Sequence, residues 1–142
     1  MKALEIIAAG TPVAIFEFAS LPSWNQSIAK ARGNRFAAAK DTKAWRDEGY
    51  GAAMACRKFI PSPIDRCAIV VRVWRKSIST YDVHNICVKA VLDGFTDANV
   101  WQDDSYQHVP LVIFSHEGID PVKPRVEIEI YKLELNKEQN DE

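Results

Sequence analysis

The chain has 142 residues, 47% of them hydrophobic and 26% charged, with a formal net charge of −1. These values fit one ordinary domain with its own buried core and exclude a disordered or low-complexity chain; no apolar run approaches the roughly 20 residues that cross a bilayer. The near-neutral total conceals an asymmetry, because residues 1–92 carry +7 and residues 93–142 carry −8, a pattern met in polyanion-binding proteins but also produced by solvated strand faces and a charged tail.

In chain order, Leu4 to Ala8 is expected to pair as a strand with Val13–Ala19, a run of β-branched and aromatic residues, across the turn residues Gly10-Thr11-Pro12. The start Met1-Lys2-Ala3-Leu4-Glu5 shows no leader pattern, so a cytoplasmic location is expected. Periodicity is lost from Ser20 to Lys40, which reads as a long basic loop. Asp41 is placed to cap a helix whose apolar stripe is Trp45, Gly49, Ala52, Ala53, Cys56 and Ile60, ended by Pro61 and Pro63. Cys67–Trp74 is a nearly continuous apolar run, expected as a strand covered on both faces. A second helix is expected over about 86–97, and the alternating runs 109–113 and 126–130 predict an antiparallel hairpin with a long connection. Three cysteines (Cys56, Cys67, Cys87) without metal-site spacing fit reduced thiols. The fold expected is α+β: one domain, residues 1–136, with a mixed β-sheet packed against two main helices, and a charged tail over 137–142 that should fray.

Chemistry concentrates between Asp82 and Asp104. On a helix running from about 86, Asn85, Lys89 and Asp93 at i, i+4, i+8 form one polar stripe among apolar neighbours. Beyond it, Trp101-Gln102-Asp103-Asp104 sets two adjacent carboxylates on a loop. Should helix start and loop converge, Asp82 and Asp104 would share a cation that relieves their repulsion, lowers the pKa of bound water and neutralises a phosphate under attack, with a lysine beside it. The plainer alternative is that Asp82 caps the helix, Lys89 and Asp93 form an i, i+4 pair, and Asp103-Asp104 is a turn.

The sequence Asp82-Val83-His84-Asn85, then Lys89-Ala90-Val91-Leu92-Asp93-Gly94-Phe95, then Asp103-Asp104-Ser105 resembles the RusA family of Holliday junction resolvases over about residues 13–134. Leu21-Pro22-Ser23-Trp24-Asn25 is similar to that family's proline-containing lead-in to its basic loop. The resemblance implies Mg²⁺-dependent paired nicking of four-way DNA junctions by a homodimer in recombination and repair. It also implies Asp82, Asp104 and Lys89 as catalytic residues, with Asn85, Asp93 and Asp103 in support. Two departures stand out. His84 occupies the place of the usual second aspartate, and the Asn-to-Lys separation is one residue longer than usual. Either His84 joins Asp82 and Asp104 at the metal, or Asn85 takes that position. Imidazole suits Mn²⁺ better than Mg²⁺, so Mn²⁺ is expected to be tolerated or preferred.

Lys30, Arg32, Arg35, Lys40, Arg75 and Lys76 are expected to contact DNA phosphates, with Lys43, Arg46 and Arg72 extending the surface. Trp24 would wedge at a junction centre or anchor its loop, while Trp45, Trp74 and Trp101 belong to the core. The rival to an enzyme is a branched-DNA-binding protein with weak or no nuclease activity.

Overall fold

The computed structural model describes residues 2–19, 21 and 24–133; the charged tail over 137–142 lies outside the described residues, as do Pro22, Ser23 and the side chain of Trp24. Among the described residues there are four α-helices, α1 (Lys2–Ala8), α2 (Trp24–Gly33), α3 (Arg35–Ala55) and α4 (Lys89–Asp97). Four strands, β1 (Ala14–Phe18), β2 (Cys67–Arg75), β3 (Leu111–Ile119) and β4 (Arg125–Lys132), form one mixed sheet in the order β1-β4-β2-β3. The expected α+β domain with a mixed sheet is therefore what the chain forms. No helix among the described residues is long and apolar enough to cross a membrane.

β2 organises the molecule. Its run of nine residues pairs antiparallel with β4 on one side and parallel with β3 on the other. Ile69, Val71 and Val73 join Phe16, Phe18, Val126, Ile128 and Ile130 in the main core, on the face covered by α3 and α4. Ala68 and Val70 point to the opposite face with Tyr131 and Leu133. Full burial of the Cys67 thiol pushes its pKa up to about 12, which leaves it a packing group rather than a nucleophile.

Several expectations are corrected. Leu4–Ala8 is not a strand beside β1 but part of α1, because Ala3, Ile6 and Ile7 at helical spacing cover the second face of the sheet. The supposed loop from Ser20 to Lys40 is largely helical: α2 ends at Gly33, and Asn34 accepts a hydrogen bond from the Ala37 N–H at 3.1 Å to begin α3. Asp41 thus caps nothing and instead ion-pairs with Lys30. β3 and β4 do not form a hairpin, because β2 lies between them and supplies a ladder to each. The second helix starts at Lys89, not near 86, since Ile86 turns extended after the 3₁₀ turn and Val88 is the N-cap, both with buried side chains.

The crossing of α3 and α4 is close because both helices present glycine. A Cβ on Gly49 would come within 2.5 Å of the Val91 carbonyl oxygen, and one on Gly94 within 2.2 Å of the Arg46 carbonyl oxygen. Val91, Leu92 and Phe95 are buried at this contact, which fixes α4 and the lysine at its first turn.

Candidate active site

The start of α4 brings together three of the anticipated residues. Lys89 donates to Asp93 Oδ1 at 2.7 Å, one turn along its own helix, and to Asp104 Oδ2 at 2.8 Å, from the loop that follows. The Asp104 hydrogen bond, then that of Asp93, raises the Lys89 pKa above its ordinary value. Lys89 therefore remains an ammonium at neutral pH and acts by charge and donation, not as a base.

The loop carrying Asp104 is held by what surrounds it. Trp101 is fully buried, edge-on to Phe95 at 6.0 Å, and its indole N–H donates to Thr96 Oγ1 at 2.7 Å. The neighbouring Ser105 side chain, and then the Ser105 backbone N–H that donates to Asp103 Oδ1 at 2.8 Å, hold the Asp103 carboxyl below the ordinary range. Asp103 thus shapes the turn from the exposed side while the half-buried Asp104 meets Lys89. As expected, Trp101 is core; Trp45 is half-buried against the core, and Trp74 is half-buried with the Arg125 guanidinium 3.9 Å from its ring centroid.

Asp82, His84 and Asn85 lie before α4. Val83–Asn85 forms a single 3₁₀ turn, and the Asp82 carbonyl accepts from the Asn85 N–H at 2.9 Å. Asn85 is therefore off the helix that carries Lys89 and Asp93, and the expected three-residue stripe reduces to those two. Asp82 stands at the N-cap of the turn, but its exposed side chain makes no cap hydrogen bond. The side chains of Asp82 and His84 form no hydrogen bond or ion pair with another described residue. Among the described residues, no group of three or more His, Cys, Asp or Glu is gathered for a metal ion. Two parts of the plainer alternative are thus present, the Lys89–Asp93 pair and the Asp103 turn. The added bond from Lys89 to Asp104 joins them into one unit.

Tyr81 and His116 were not anticipated. Tyr81 Oη lies 2.6 Å from His116 Nδ1, and the Arg75 guanidinium sits 4.1 Å from the Tyr81 ring centroid. No local signal links residues 35 positions apart.

The basic residues divide into two groups. Arg32, Arg35 and Lys40 are exposed on α2 and α3 and form no ion pair with a described residue; Lys76 is likewise exposed after β2. Lys30 pairs with Asp41, Lys43 with Asp47, and Arg46 with Asp97. Arg72 is held by Glu117 and Glu129 at 2.6 and 2.7 Å on the sheet face away from α3 and α4. It is structural, and it does not extend a DNA surface toward the site. A cavity of about 470 Å³, bordered by Lys30, Arg35, Trp45, Cys87 and Ala90, runs between α2, α3 and the first turn of α4.

In comparisons with known proteins, the family model for Endodeoxyribonuclease RusA matches residues 17–131. No curated protein matches the chain.

Proposed function

The chain belongs to the RusA endodeoxyribonuclease family, and from that premise we propose that it resolves four-way DNA junctions by divalent-metal-dependent hydrolysis at Asp82, Lys89 and Asp104. The family implies Holliday junction resolving endonuclease activity. One observation supports the assignment of Lys89 and Asp104: Lys89 is held as a cation between Asp93 and Asp104 at 2.7 and 2.8 Å, while Asp82 rests on its place in the motif that resembles the family's.

The donors fit a hard divalent ion. Mg²⁺ is commonly bound by one or two carboxylates, completing its shell with water and substrate phosphate. Asp82 and Asp104 would hold such an ion, and His84 or Asn85 is the adjacent candidate for a third protein ligand. When bound, the ion supplies an activated water and neutralises phosphate charge. The chain's own residues do the rest. An ammonium has three donors and Lys89 spends two on carboxylates, leaving one for a phosphate oxygen. As that phosphate gains charge in the transition state, the donor's interaction strengthens, which is the condition for catalysis. Asp93 and Asp104 keep the amine protonated and fixed, while Asn85 and Asp103 support the turns on either side. Arg32, Arg35, Lys40 and Lys76, with Lys30 and Arg75 nearer their own partners, hold the DNA backbone. Two nicks across a junction require two such sites, which a two-fold dimer supplies.

The departure at His84 favours one second reading, a junction binder that cuts poorly. Labelled four-way, flap and linear duplex DNA incubated with Mg²⁺ or Mn²⁺ separates the two. Paired nicks confined to the four-way substrate, abolished in Asp104→Asn while junction binding persists, are expected. Binding without cutting by the wild type in either metal replaces the enzyme with the binder.

A further inference from the structure

We propose that Tyr81 and His116, clasped by Arg75, are positioning residues that aim Asp82 for the cutting reaction; this rests on the reading of Asp82 as a site residue.

Between the end of β2 and Asp82 the chain runs through Lys76–Thr80, all exposed, with Ile78 94% accessible. A segment with so little burial has no packing of its own to set the direction of the residue that follows it. Tyr81 breaks that pattern. Its ring is half-buried and packs on the main core, and its hydroxyl meets His116 Nδ1 at 2.6 Å with the two rings edge-on at 5.5 Å. From β2, Arg75 places its guanidinium 4.1 Å from the ring centroid and donates to Ser79 Oγ at 2.9 Å. Tyr81 is therefore held by both parallel strands, β2 through Arg75 and β3 through His116.

The sheet is shaped to permit this contact. Val73 pairs with His116, but the next residue of β2, Trp74, pairs with Gly118. Glu117 is the extra residue of a β-bulge, and bulges redirect side chains at the ends of strands. Glu117 turns to Arg72 on the far face at 2.6 Å. His116 keeps to the helix side, in alternation with Phe114, which packs on the main core. On the other side of Asp82, its carbonyl closes the 3₁₀ turn with Asn85 and Ile86 buries at once. Fixed backbone on both flanks sets where the Asp82 Cα–Cβ bond points, and so where its carboxylate can reach, while no described side chain hydrogen-bonds or ion-pairs with it. Its aim is thus set through its neighbours, as partners outside a metal's own ligands commonly do.

The test measures ion binding as well as cutting. Tyr81→Phe, His116→Ala and His116→Gln are compared with Asp82→Asn, using the Mn²⁺ dissociation constant from the electron paramagnetic resonance of free Mn²⁺, kcat and KM on a four-way junction, and Tm. Loss of such supporting partners typically costs about 10- to 100-fold in metal affinity or activity. Tyr81→Phe and His116→Ala are expected to weaken Mn²⁺ binding and kcat by about 10-fold, with KM and Tm kept, because the ring remains in Phe and His116 is exposed. His116→Gln, which retains an amide able to donate or accept, should recover most of the loss, and the double variant Tyr81→Phe/His116→Ala should be no worse than either single. Wild-type ion binding and kcat in both single variants, alongside an inactive Asp82→Asn, would overturn the clasp and leave the active-site reading intact. An Asp82→Asn protein that binds Mn²⁺ and cuts normally would overturn both.

Discussion

Replacing Gly94 with alanine tests the helix crossing on which the position of Lys89 depends. In an isolated helix this change favours folding by about 1 kcal/mol, because glycine loses more backbone freedom than alanine. Here the new Cβ would stand 2.2 Å from the Arg46 carbonyl oxygen, 2.7 Å from the Tyr50 nitrogen and 3.1 Å from the Gly49 carbonyl carbon, all of them backbone atoms of α3. None can rotate away, so α3 and α4 must separate by roughly 1 Å, and Val91, Leu92 and Phe95 lose close packing. Overpacking of this kind costs about 1–3 kcal/mol and occasionally more. Taking the upper end because the clash is with rigid backbone, the net destabilisation is about 2 kcal/mol, equivalent to a fall in Tm of roughly 8 °C for a domain of this size. Gly51→Ala provides the control. It lies on the same α3, is exposed, and its Cβ would meet nothing within 4 Å, so only the favourable helix term remains and Tm should rise by a few degrees. Thermal unfolding followed by circular dichroism at fixed protein concentration reads both. A Gly94→Ala protein as stable as the wild type, or a Gly51→Ala protein that falls equally, refutes the close-crossing argument.

Lys89→Met should lower kcat at least about 100-fold, the usual loss for one transition-state donor. Its Tm should stay within a few degrees, because the lysine side chain is 54% exposed and such pairs contribute little to folding; a normal kcat removes Lys89 from the chemistry. Arg72 draws the Glu117 carboxyl below its ordinary 4.5, so that ion pair stabilises the fold above this pH and its contribution is lost as pH falls through the lowered value. Urea titrations of wild type and Glu117→Gln should therefore differ by about 1 kcal/mol near neutrality and converge in acid; a gap that widens in acid contradicts the assignment. In His84→Asp, the ratio of Mg²⁺- to Mn²⁺-supported cutting should rise, whereas an unchanged ratio places His84 away from the ion. The triple variant Arg32→Ala/Arg35→Ala/Lys40→Ala should bind junctions more weakly and reduce the slope of log affinity against log salt by up to about 3; an unaltered slope takes these residues off the DNA path.

What sequence patterning reveals here depends on whether the determining contacts are local. β2 announces itself because a central strand buried on both faces must be apolar almost throughout, and Cys67–Trp74 is. The α3 stripe is equally plain: Gly49 and Ala53 are the buried positions, with Trp45, Ala52 and Cys56 packed beside them. Leu4–Ala8 misleads because five residues with three large apolar ones satisfy strand and helix patterns alike, and only the second face of the sheet decides. α2 and the first half of α3 evade detection since their described side chains are mostly exposed, so the hydrophobic period that marks a helix is faint there. The hairpin error has a related cause: alternation marks β4 as a strand but carries no information about which neighbour supplies its hydrogen bonds. At the site, Lys89 and Asp93 are legible as an i, i+4 pair and Asp104 through its doublet. The Tyr81–His116 contact depends on a bulge between parallel strands, which no spacing encodes.

The charge asymmetry of the chain also takes a definite form once the ion pairs are placed. The strongly acidic second half does not present a uniformly acidic surface. Among its described residues, Asp93 and Asp104 share Lys89, Asp97 pairs with Arg46, Glu117 and Glu129 share Arg72, and Asp120 and Glu127 meet Arg125. Several of the cations involved come from the basic half, so the excess of one half is used to neutralise the other within the fold. What remains without an ionic partner is informative. Among these, alongside others such as Lys58, Asp65, Arg66, Lys76 and Asp103, Arg32, Arg35 and Lys40 stand on exposed helical surface, and Asp82 stands at the 3₁₀ turn ahead of α4. An exposed basic face attracts a phosphate backbone even on a protein whose net charge is −1, since screening over about 10 Å makes local charge matter more than the total. A carboxylate with no cation of its own has the opposite effect on a phosphate brought near it. On the proposed function, the same fold would separate holding DNA from cutting it: the cations of α2 and α3 without an ionic partner would serve the first, and Asp82 would leave the second dependent on added positive charge.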